Sequence, residues 1–467
     1  MTSPAMRTPR IGLICFSAIA DDPRVRRQGD LFSERGWKVL AFGLPGARSR
    51  APEWQILEIE PEGVGSIDEV SLTAGTASAD ERRNTRDILR KLPRWLYWRG
   101  VRPVLVAGKH ALRSVLPDTV VRTGSRTARR ALRAIDVLRV HVVPSHAHAS
   151  YWTLNDRFRK LYDLAAQHRV DIWLANDWTA LPIARRLAAE QGVRYAYDTH
   201  ELAVDEYAQH LVWRLTQRPV IAAVERDGIA GSAVTSCVSQ GIADRLHELY
   251  RLPDKPLLIR NMPRYEAHPY RPCGERIEVL YHGVVNVGRG LEACIDSVVL
   301  WRPEFRLTIR GPGPADYLEA LAARIKTAGL SDRVTLAPAV PMIDLVREAA
   351  RFDIGLFALP GHSKQNVHVL PNKFFEYTMA GLALCVSDLP EMTALLRQHD
   401  LGRSIPDVTP QAIAMAINDF DRASVDIYKR HALEASKLLN WEAEADRLFA
   451  AIEQVVVGGG QAQRLGA

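Results

Sequence analysis

The chain has 467 residues, of which 47% are hydrophobic and 25% charged, and its net charge is +7. This composition excludes a largely disordered chain, and the length favours two large domains over one. No apolar run has the length of a membrane-spanning helix, and the short run after Arg10 resembles a first core strand more than a secretory signal.

Alternating strands and helices open the chain. A strand at residues 10–16 is followed by a helix that ends at Gly36 and by a second strand. The same alternation resumes near Val170 and continues to a last strand that ends at Asn261. The pattern predicts a first domain over residues 1–262, built on a parallel sheet.

The second half repeats this alternation after a linker. Residues 262–276 are rich in proline and charge and show no periodicity, which is typical of a linker. Strands and helices then alternate over residues 276–424, which predicts a second Rossmann-like domain. A final helix is expected at 441–456, followed by a disordered tail at 459–467.

The five cysteines are expected to be reduced structural thiols. Cys15, Cys237 and Cys385 lie in apolar, strand-like runs, and no two cysteines form a CxxC pair. Such thiols fit a reducing compartment, so the sequence predicts a cytoplasmic protein.

The clearest chemical pattern is LPNKFFEYTMAGLALCVSD, residues 370–388. It predicts a helix that ends at Gly381 and leads into a short buried strand. Lys373 and Glu376 are three residues apart near the helix start, so both can point the same way. A cation at a helix start suits a phosphate, and a carboxylate one turn later can accept bonds from sugar hydroxyls. The alternative is an ordinary surface Lys–Glu pair.

This segment closely resembles the donor-site segment of glycosyltransferase family 4, retaining nucleotide-sugar transferases of the GT-B fold. The resemblance extends over about residues 10–75 and 157–456. It implies an α/β fold of two Rossmann-like parallel-sheet domains that face a cleft, with C-terminal helices at 425–458 that return to the first domain. It also implies an NDP-sugar-dependent hexosyltransferase with a UDP- or GDP-sugar donor and no required cofactor or metal.

A second segment, YHGVVNVGRG at residues 281–290, resembles the first strand–loop–helix of the family's nucleotide domain. Gly283 is the glycine after the strand, and Arg289 matches the basic residue at the next helix start, but Val284 stands where the family has arginine. The resemblance implies that Arg289 stabilises the diphosphate leaving group, although a surface arginine is the alternative. Gly311, in IRGPGP, resembles the second glycine turn and lets backbone approach the nucleotide.

The resemblance also suggests roles for individual residues. Arg289 and Lys373 would hold the diphosphate, Glu376 the ribose and His200 the transferred sugar. Many family members carry two glutamates separated by seven residues, and His368 occupies the first of these positions here. The nucleotide end of the site is therefore better supported than the sugar end.

The acceptor side is predicted in the first domain. His200 and Glu201 follow a strand, and ligands of open parallel sheets bind at that edge. A core or capping role is the alternative for His200. Asp177, Asp22 and Arg24 are further acceptor-side candidates, but helix capping is the simpler account of Asp22.

A basic insertion is predicted at about residues 81–140, outside the family pattern. Between Glu81 and Arg139 it holds sixteen cationic and four acidic side chains, a net charge of about +12, and it includes Trp95, Tyr97 and Trp98. This composition suits an anionic membrane surface. A solvated excursion that packs its aromatic residues on the first domain is the alternative. No recognition motif for nucleic acid accompanies it.

The resulting expectation is a retaining glycosyltransferase that moves a sugar to a hydroxyl acceptor, on a lipid-linked or growing glycan, in polysaccharide biosynthesis. It would act in the cytoplasm or peripherally on the inner face of the membrane. A nucleotide-sugar epimerase of the same fold and a non-catalytic nucleotide-binding scaffold are the two alternatives.

Overall fold

The computed structural model describes residues 8–47, 49–60, 140, 143 and 146–465. The predicted basic insertion lies outside the described residues, apart from residue 140. The chain divides into two compact units. One unit, made of residues 1–60, 157–209 and 224–467, contains both β-sheets described below.

The first sheet is parallel, with the strand order β3-β2-β1-β4-β5-β6-β7 in the described part of the chain. In register, Ile11 of the first strand pairs with Val39 on one side and with Ile172 on the other. Its strands are β1 (Arg10–Ile14), β2 (Lys38–Gly43), β3 (Gln55–Glu58), β4 (Ile172–Asn176), β5 (Arg194–Thr199), β6 (Val234–Cys237) and β7 (Leu257–Leu258).

Helices alternate with these strands. The first helix begins where Asp22 accepts hydrogen bonds from the first-turn amides, and it buries Val25, Leu31 and Phe32. The helices are α1 (Pro23–Glu34), α2 (Ala147–Leu154), α3 (Asp156–Ala165), α4 (Leu181–Gln191), α5 (Leu211–Thr216), α6 (Arg218–Gly231) and α7 (Gln240–Tyr250).

The second sheet is also parallel, in the order β10-β9-β8-β11-β12-β13. Its strands are β8 (Ile277–His282), β9 (Phe305–Arg310), β10 (Val334–Ala337), β11 (Ile354–Phe357), β12 (Ala383–Ser387) and β13 (Gly402–Ile405). Its helices are α8 (Leu291–Ser297), α9 (Ala315–Thr327), α10 (Leu345–Ala349), α11 (Lys364–His368), α12 (Asn372–Met379), α13 (Pro390–His399), α14 (Pro410–Asn418) and α15 (Arg422–Ser436).

Both sheets are doubly wound. The strand order reverses between β1 and β4 in the first sheet and between β8 and β11 in the second. Ligands of such sheets bind at the carboxyl ends of the strands, near the reversal point. The prediction of two Rossmann-like parallel-sheet domains is confirmed.

The last helix, α16 (Trp441–Leu465), returns to the first domain. Trp441, Leu448 and Phe449 join the hydrophobic core of the first sheet. The preceding helix α15 instead packs on the second sheet, so the return begins after Ser436 and not at residue 425 as expected. The backbone N–H of Trp441 donates to Pro263 O at 2.8 Å, which joins the two passages of the chain between the domains.

The prediction of a disordered tail at 459–467 is wrong as far as Leu465, where the described residues end. Helix α16 continues to Leu465, although three glycines follow Val457. Extending an existing helix adds one hydrogen bond per residue and requires no new nucleus, so a helix can continue through residues of low propensity.

The prediction for the cysteines is confirmed, since all five are buried and unpaired. Burial raises the pKa of each thiol, as for Cys237, where it reaches about 12. Thiols with such pKa values stay protonated and unreactive at neutral pH.

A buried carboxyl group joins three elements of the first domain. Glu225 on α6 is fully buried and accepts hydrogen bonds from the hydroxyls of Tyr197 and Tyr250, both at 2.7 Å. Burial raises the pKa of Glu225 to about 7, and the two hydrogen bonds oppose this effect.

We expect this glutamate to make the fold less stable as pH rises. Between about pH 4.5 and pH 7 the native protein keeps the proton that the unfolded chain has released, so the free energy of unfolding falls, by about 3 kcal/mol in total. Glu225→Gln should remove this part of the pH dependence, as measured by urea unfolding at pH 5 and pH 8. The exposed control Glu453→Gln should retain it. An unchanged dependence in Glu225→Gln would contradict the assignment.

Candidate functional site

A cavity of about 460 Å³ opens between the carboxyl edges of the two sheets. Its lining comes from the loops after β1, β5 and β8 and from the start of α12. Six of the residues predicted for the site line it: Asp22, Arg24, His200, Glu201, Arg289 and Lys373.

Two glycine turns bring backbone close to the predicted diphosphate cation. Gly283 has a φ of 122° and Gly311 a φ of 154°, which are conformations that favour glycine. A Cβ atom on Gly283 would lie 2.6 Å from Lys373 Nζ, and one on Gly311 would lie 1.8 Å from Gly283 O. Only glycine fits at either position. The turn at Gly311 packs against the turn at Gly283, which in turn contacts the Lys373 side chain.

Lys373 is a cation in an apolar and electropositive setting. Its Nζ lies 5.2 Å from the ring centre of Phe357 and 5.8 Å from that of Tyr281. Burial and the charge of Arg289 lower the pKa of Lys373 to about 8, and Glu376 opposes this effect. No side chain caps the start of α12, where Lys373 lies. A bound anion would relieve the repulsion between Lys373 and Arg289.

Arg289 lies in the exposed loop between β8 and α8 and lines the cavity. The next residue, Gly290, has a φ of 73° and a backbone position where a Cβ atom would lie 2.3 Å from Ala358 O. Val284, which replaces the arginine of the family pattern, is 50% exposed. Arg289 and Lys373 are thus the cations of the second domain that line this cavity.

Glu376 lies one turn after Lys373, as predicted, and its side chain is 14% exposed. One of its oxygens, Oε2, lies 2.8 Å from His282 Nε2. Burial alone would raise the pKa of Glu376, but His282, Lys373 and Arg27 outweigh burial and lower it. This carboxyl group is therefore ionised at neutral pH.

Two residues that were not predicted from the sequence lie near Glu376. Arg27 comes from α1 of the first domain and donates to Asn261 Oδ1, and burial lowers its pKa to about 10 while Glu376 opposes this. No local pattern identifies Arg27. The position of His282 could have identified it from the sequence, because it directly precedes Gly283 at the end of a buried strand.

His200 lies at the carboxyl edge of the first sheet and is only partly buried. Its Nε2 lies 3.1 Å from Asn176 Oδ1 and 3.8 Å from Asp198 Oδ2, and 23% of its side chain is exposed. Because His200 lines the cavity, the alternative of a fully buried core histidine does not hold, and its contact with the transferred sugar stays a prediction.

Asp22 and Arg24 have structural partners. Asp22 accepts from the amides of Arg24 and Val25 and from the Ser17 hydroxyl, so helix capping accounts for its contacts. Arg24 Nε and Nη2 donate to the two carboxylate oxygens of Asp198, both at 2.5 Å, and its side chain is 3% exposed. The guanidinium of Arg24 is therefore held by a buried ion pair, although Arg24 also lines the cavity, and its acceptor-side role stays a prediction.

Acidic side chains lie near the predicted acceptor side. Asp177 has a φ of 69°, a conformation uncommon for a residue other than glycine, and burial raises its pKa. Burial and Asp177 raise the pKa of Glu201 to about 7, whereas Arg289 lowers it. Burial and Glu201 raise the pKa of Glu206 to about 8. This group therefore carries less negative charge at neutral pH than three ordinary carboxylates.

His368, at the first glutamate position of the family pattern, contacts the first domain. Its carbonyl accepts from the Ser239 hydroxyl at 2.6 Å, and a Cβ atom on Gly241 would lie 2.2 Å from its Nδ1. The next two residues, Val369 and Leu370, line the cavity instead. His368 thus helps to join the domains.

Two further observations concern the described part of the chain. No group of three His, Cys, Asp or Glu side chains there could hold a metal ion. None of the helices described there combines the length and the apolar character needed to cross a bilayer.

Two doubly wound parallel sheets, a cleft at their carboxyl edges and a returning C-terminal helix define the GT-B class of glycosyltransferases. Sequence models agree: Glycosyltransferase Family 4 matches residues 79–262, and Glycosyl transferases group 1 matches residues 276–420. The chain belongs to glycosyltransferase family 4, and the predicted family and fold are confirmed. The matched range differs from the expected one, because it includes the basic segment and omits residues 10–75.

Solved structures show the same fold. Sucrose-phosphate synthase from Thermosynechococcus elongatus has a TM-score of 0.63 at 15% identity, over 96% of this chain and 100% of that one. Anabaena Alr3699/HepE, in complex with UDP and glucose, has a TM-score of 0.61 at 11% identity with the same coverage. WaaG, a glycosyltransferase involved in lipopolysaccharide biosynthesis, has a TM-score of 0.55 at 12% identity, again with that coverage. No curated protein sequence matches the chain.

Proposed function

We propose that this glycosyltransferase transfers a sugar from a UDP-sugar to a hydroxyl group of a lipid-linked or growing glycan, with retention of the anomeric configuration. The observation that carries the proposal is the position of Lys373. This cation lies partly buried beside two glycine turns and near Arg289, in a cavity between the two domains. Such a site favours an anionic group with several oxygen atoms.

In this proposal Lys373 and Arg289 bind the diphosphate, and the turns at Gly283 and Gly311 let its oxygens approach the backbone. Glu376 is ionised and accepts hydrogen bonds from the ribose hydroxyls. The charges that bind the diphosphate in the donor also stabilise the larger charge on the departing UDP.

During transfer the bond from the anomeric carbon to the UDP oxygen breaks, and a bond to the acceptor oxygen forms on the same face of the sugar. The acceptor hydroxyl gives its proton to an oxygen of the departing diphosphate. His200 contacts the transferred sugar from the first domain. Catalysis then consists of positioning the reactants and stabilising charge.

The acceptor would bind along the first domain. Glu201 lines the cavity, and Asp177 is close enough for its charge to raise the pKa of Glu201. Both are candidates to accept hydrogen bonds from acceptor hydroxyls, and Asp22 and Arg24, which line the same cavity, are candidates on that side as well. At a pKa of about 7, Glu201 can also donate a hydrogen bond in its protonated form.

The structural neighbours support the finer parts of the proposal. HepE was solved with UDP and glucose, which favours a UDP-sugar over a GDP-sugar. WaaG takes part in lipopolysaccharide biosynthesis, which is consistent with polysaccharide synthesis and a lipid-linked acceptor. The basic composition of residues 81–139 favours peripheral contact with the inner face of the membrane. Sedimentation with anionic liposomes at low salt tests this contact, and an absence of binding would contradict it.

The activity is tested by incubating the protein with a panel of UDP- and GDP-sugars, with and without glycan acceptors. We expect UDP release that increases with acceptor, and a product in which the anomeric configuration is unchanged by NMR. A new sugar isomer without transfer would instead indicate an epimerase. Nucleotide binding with neither product would indicate a scaffold. An inverted product would contradict retention while leaving the transferase in place.

A further inference from the structure

His282 lies behind the carboxylate that we assign to the ribose. It is the last residue of β8, it is 1% exposed, and its Nε2 lies 2.8 Å from Glu376 Oε2. It does not line the cavity. A role in the reaction would therefore have to act through Glu376.

The proton of the imidazole is placed by a second contact. Arg310 Nη2 lies 3.4 Å from His282 Nδ1. A guanidinium can only donate, so Nδ1 accepts and the ring proton of the neutral form lies on Nε2. The Nε2–H group therefore lies next to Glu376 Oε2, with 2.8 Å between the nitrogen and the oxygen, and attracts that carboxylate oxygen.

Tyr377 fixes the imidazole in place. The two rings stack at 4.8 Å with an interplanar angle of 29°, and the backbone N–H of His282 donates to the Tyr377 hydroxyl at 3.0 Å. Tyr377 fits because Gly355 has no side chain, since a Cβ atom there would lie 2.3 Å from the Tyr377 ring. Tyr377 directly follows Glu376 on α12, so the ring that stacks on the imidazole and the residue that carries the carboxylate belong to the same helix.

A carboxylate selects for two hydroxyl groups only when its orientation is fixed, because a freely rotating group can also pair with water. Glu376 is partly exposed and ionised, with Oε2 against His282. Neither the hydrogen bonds nor the ion pairs within the described residues include Oε1.

We propose that His282 is a positioning residue that fixes the Glu376 carboxylate for the ribose hydroxyls of the donor, and thereby lets the enzyme distinguish ribonucleotides from deoxyribonucleotides. This inference rests on the proposed donor site. It concerns the orientation of Glu376, whereas the affinity for the diphosphate depends on Lys373 and Arg289.

Two substitutions that introduce an amide side chain distinguish the roles of the two ring nitrogens. In His282→Gln the side-chain amide can reach the position of Nε2, next to Glu376. In His282→Asn it reaches only the position of Nδ1, next to Arg310. The dissociation constants of UDP, 2′-deoxy-UDP and 3′-deoxy-UDP are measured by calorimetry on the full chain, for the wild type, both variants and Glu376→Gln.

We expect the wild type to bind UDP about ten- to a hundredfold more tightly than either deoxy analogue, as for a hydroxyl bound by a charged acceptor. Glu376→Gln should lose most of this ratio, His282→Asn should come close to the same loss, and His282→Gln should keep most of the wild-type ratio. Thermal melting checks folding, and His282→Phe, which keeps the ring stacking, replaces His282→Asn if that variant does not fold.

The inference would be overturned, with the donor site intact, if His282→Asn kept the wild-type ratio of UDP to deoxy-UDP affinity while Glu376→Gln lost it. An equal loss of affinity for all three nucleotides would also overturn it, because that result indicates a purely structural role. A wild-type ratio in Glu376→Gln would refute the ribose contact itself. Failure of the wild type to bind UDP would refute the proposed donor as well.

Discussion

Replacing Lys373 with methionine should reduce turnover by roughly 10²–10³, which corresponds to a loss of about 2.7–4 kcal/mol of transition-state stabilisation. The reason is that Lys373 is the partly buried cation of the proposed diphosphate site, and methionine fills a similar volume without the charge. The measurement is the rate of UDP release at saturating donor and acceptor. Full activity of this variant would refute the proposed site.

The same substitution should make the fold more stable near pH 7. The native pKa of Lys373, about 8, lies below its ordinary value of 10.5, so the unfolded chain binds the proton more tightly. Below pH 8 the charge on Lys373 therefore disfavours the folded state, and this cost disappears as pH rises to about 10.5. The control is Lys437→Met, which removes an exposed lysine paired with Glu434 and should leave turnover and stability nearly unchanged.

A large loss of stability is expected for Asp198→Asn. Asp198 is fully buried, and its carboxylate accepts from Arg24, from Gln28 at 2.5 Å and from the Ser236 hydroxyl at 2.6 Å. The substitution leaves the Arg24 charge buried without its partner, which should lower the free energy of unfolding by about 3–5 kcal/mol. Chemical denaturation at neutral pH measures this difference.

The matched control is the exposed ion pair between Arg35 and Asp446. Asp446→Asn should lower the free energy of unfolding by less than about 1 kcal/mol, because water screens and solvates both groups. Equal effects of the two substitutions would show that burial does not determine the contribution of the Arg24–Asp198 pair.

The fold could be predicted well from local patterns. The apolar runs of the strands, the capping aspartate before α1 and the glycine after α12 are all signals within a few residues of the elements they define. Strand β3 was missed because its residues, QILE, are only partly buried and do not form an apolar run. The end of α16 was missed because glycines argue against a helix locally, whereas propagation from a packed segment depends on the whole helix.

The site could be predicted in part. Lys373, Glu376 and Arg289 lie in segments whose order and spacing carry the family pattern, and the structure brings all three to one end of the second domain. The buried ion pair of Arg24 could not be predicted, because its partner Asp198 is 174 residues away in the sequence. Nothing in the sequence near His368 indicates that it packs against Gly241. Such pairings depend on the relative position of whole domains and leave no local periodicity.

The contact between Trp441 and Pro263 has a consequence for motion. The chain passes between the sheets twice, and a hydrogen bond of 2.8 Å joins the two passages. The N–H of Tyr265 also donates to Glu442 at 2.9 Å. Two bodies connected through adjacent passages can rotate about a short common axis at those passages. The distance between two spin labels beside this axis should therefore stay unchanged when a donor is added. The distance between two labels on opposite sides of the mouth of the cleft, far from the axis, should change the most.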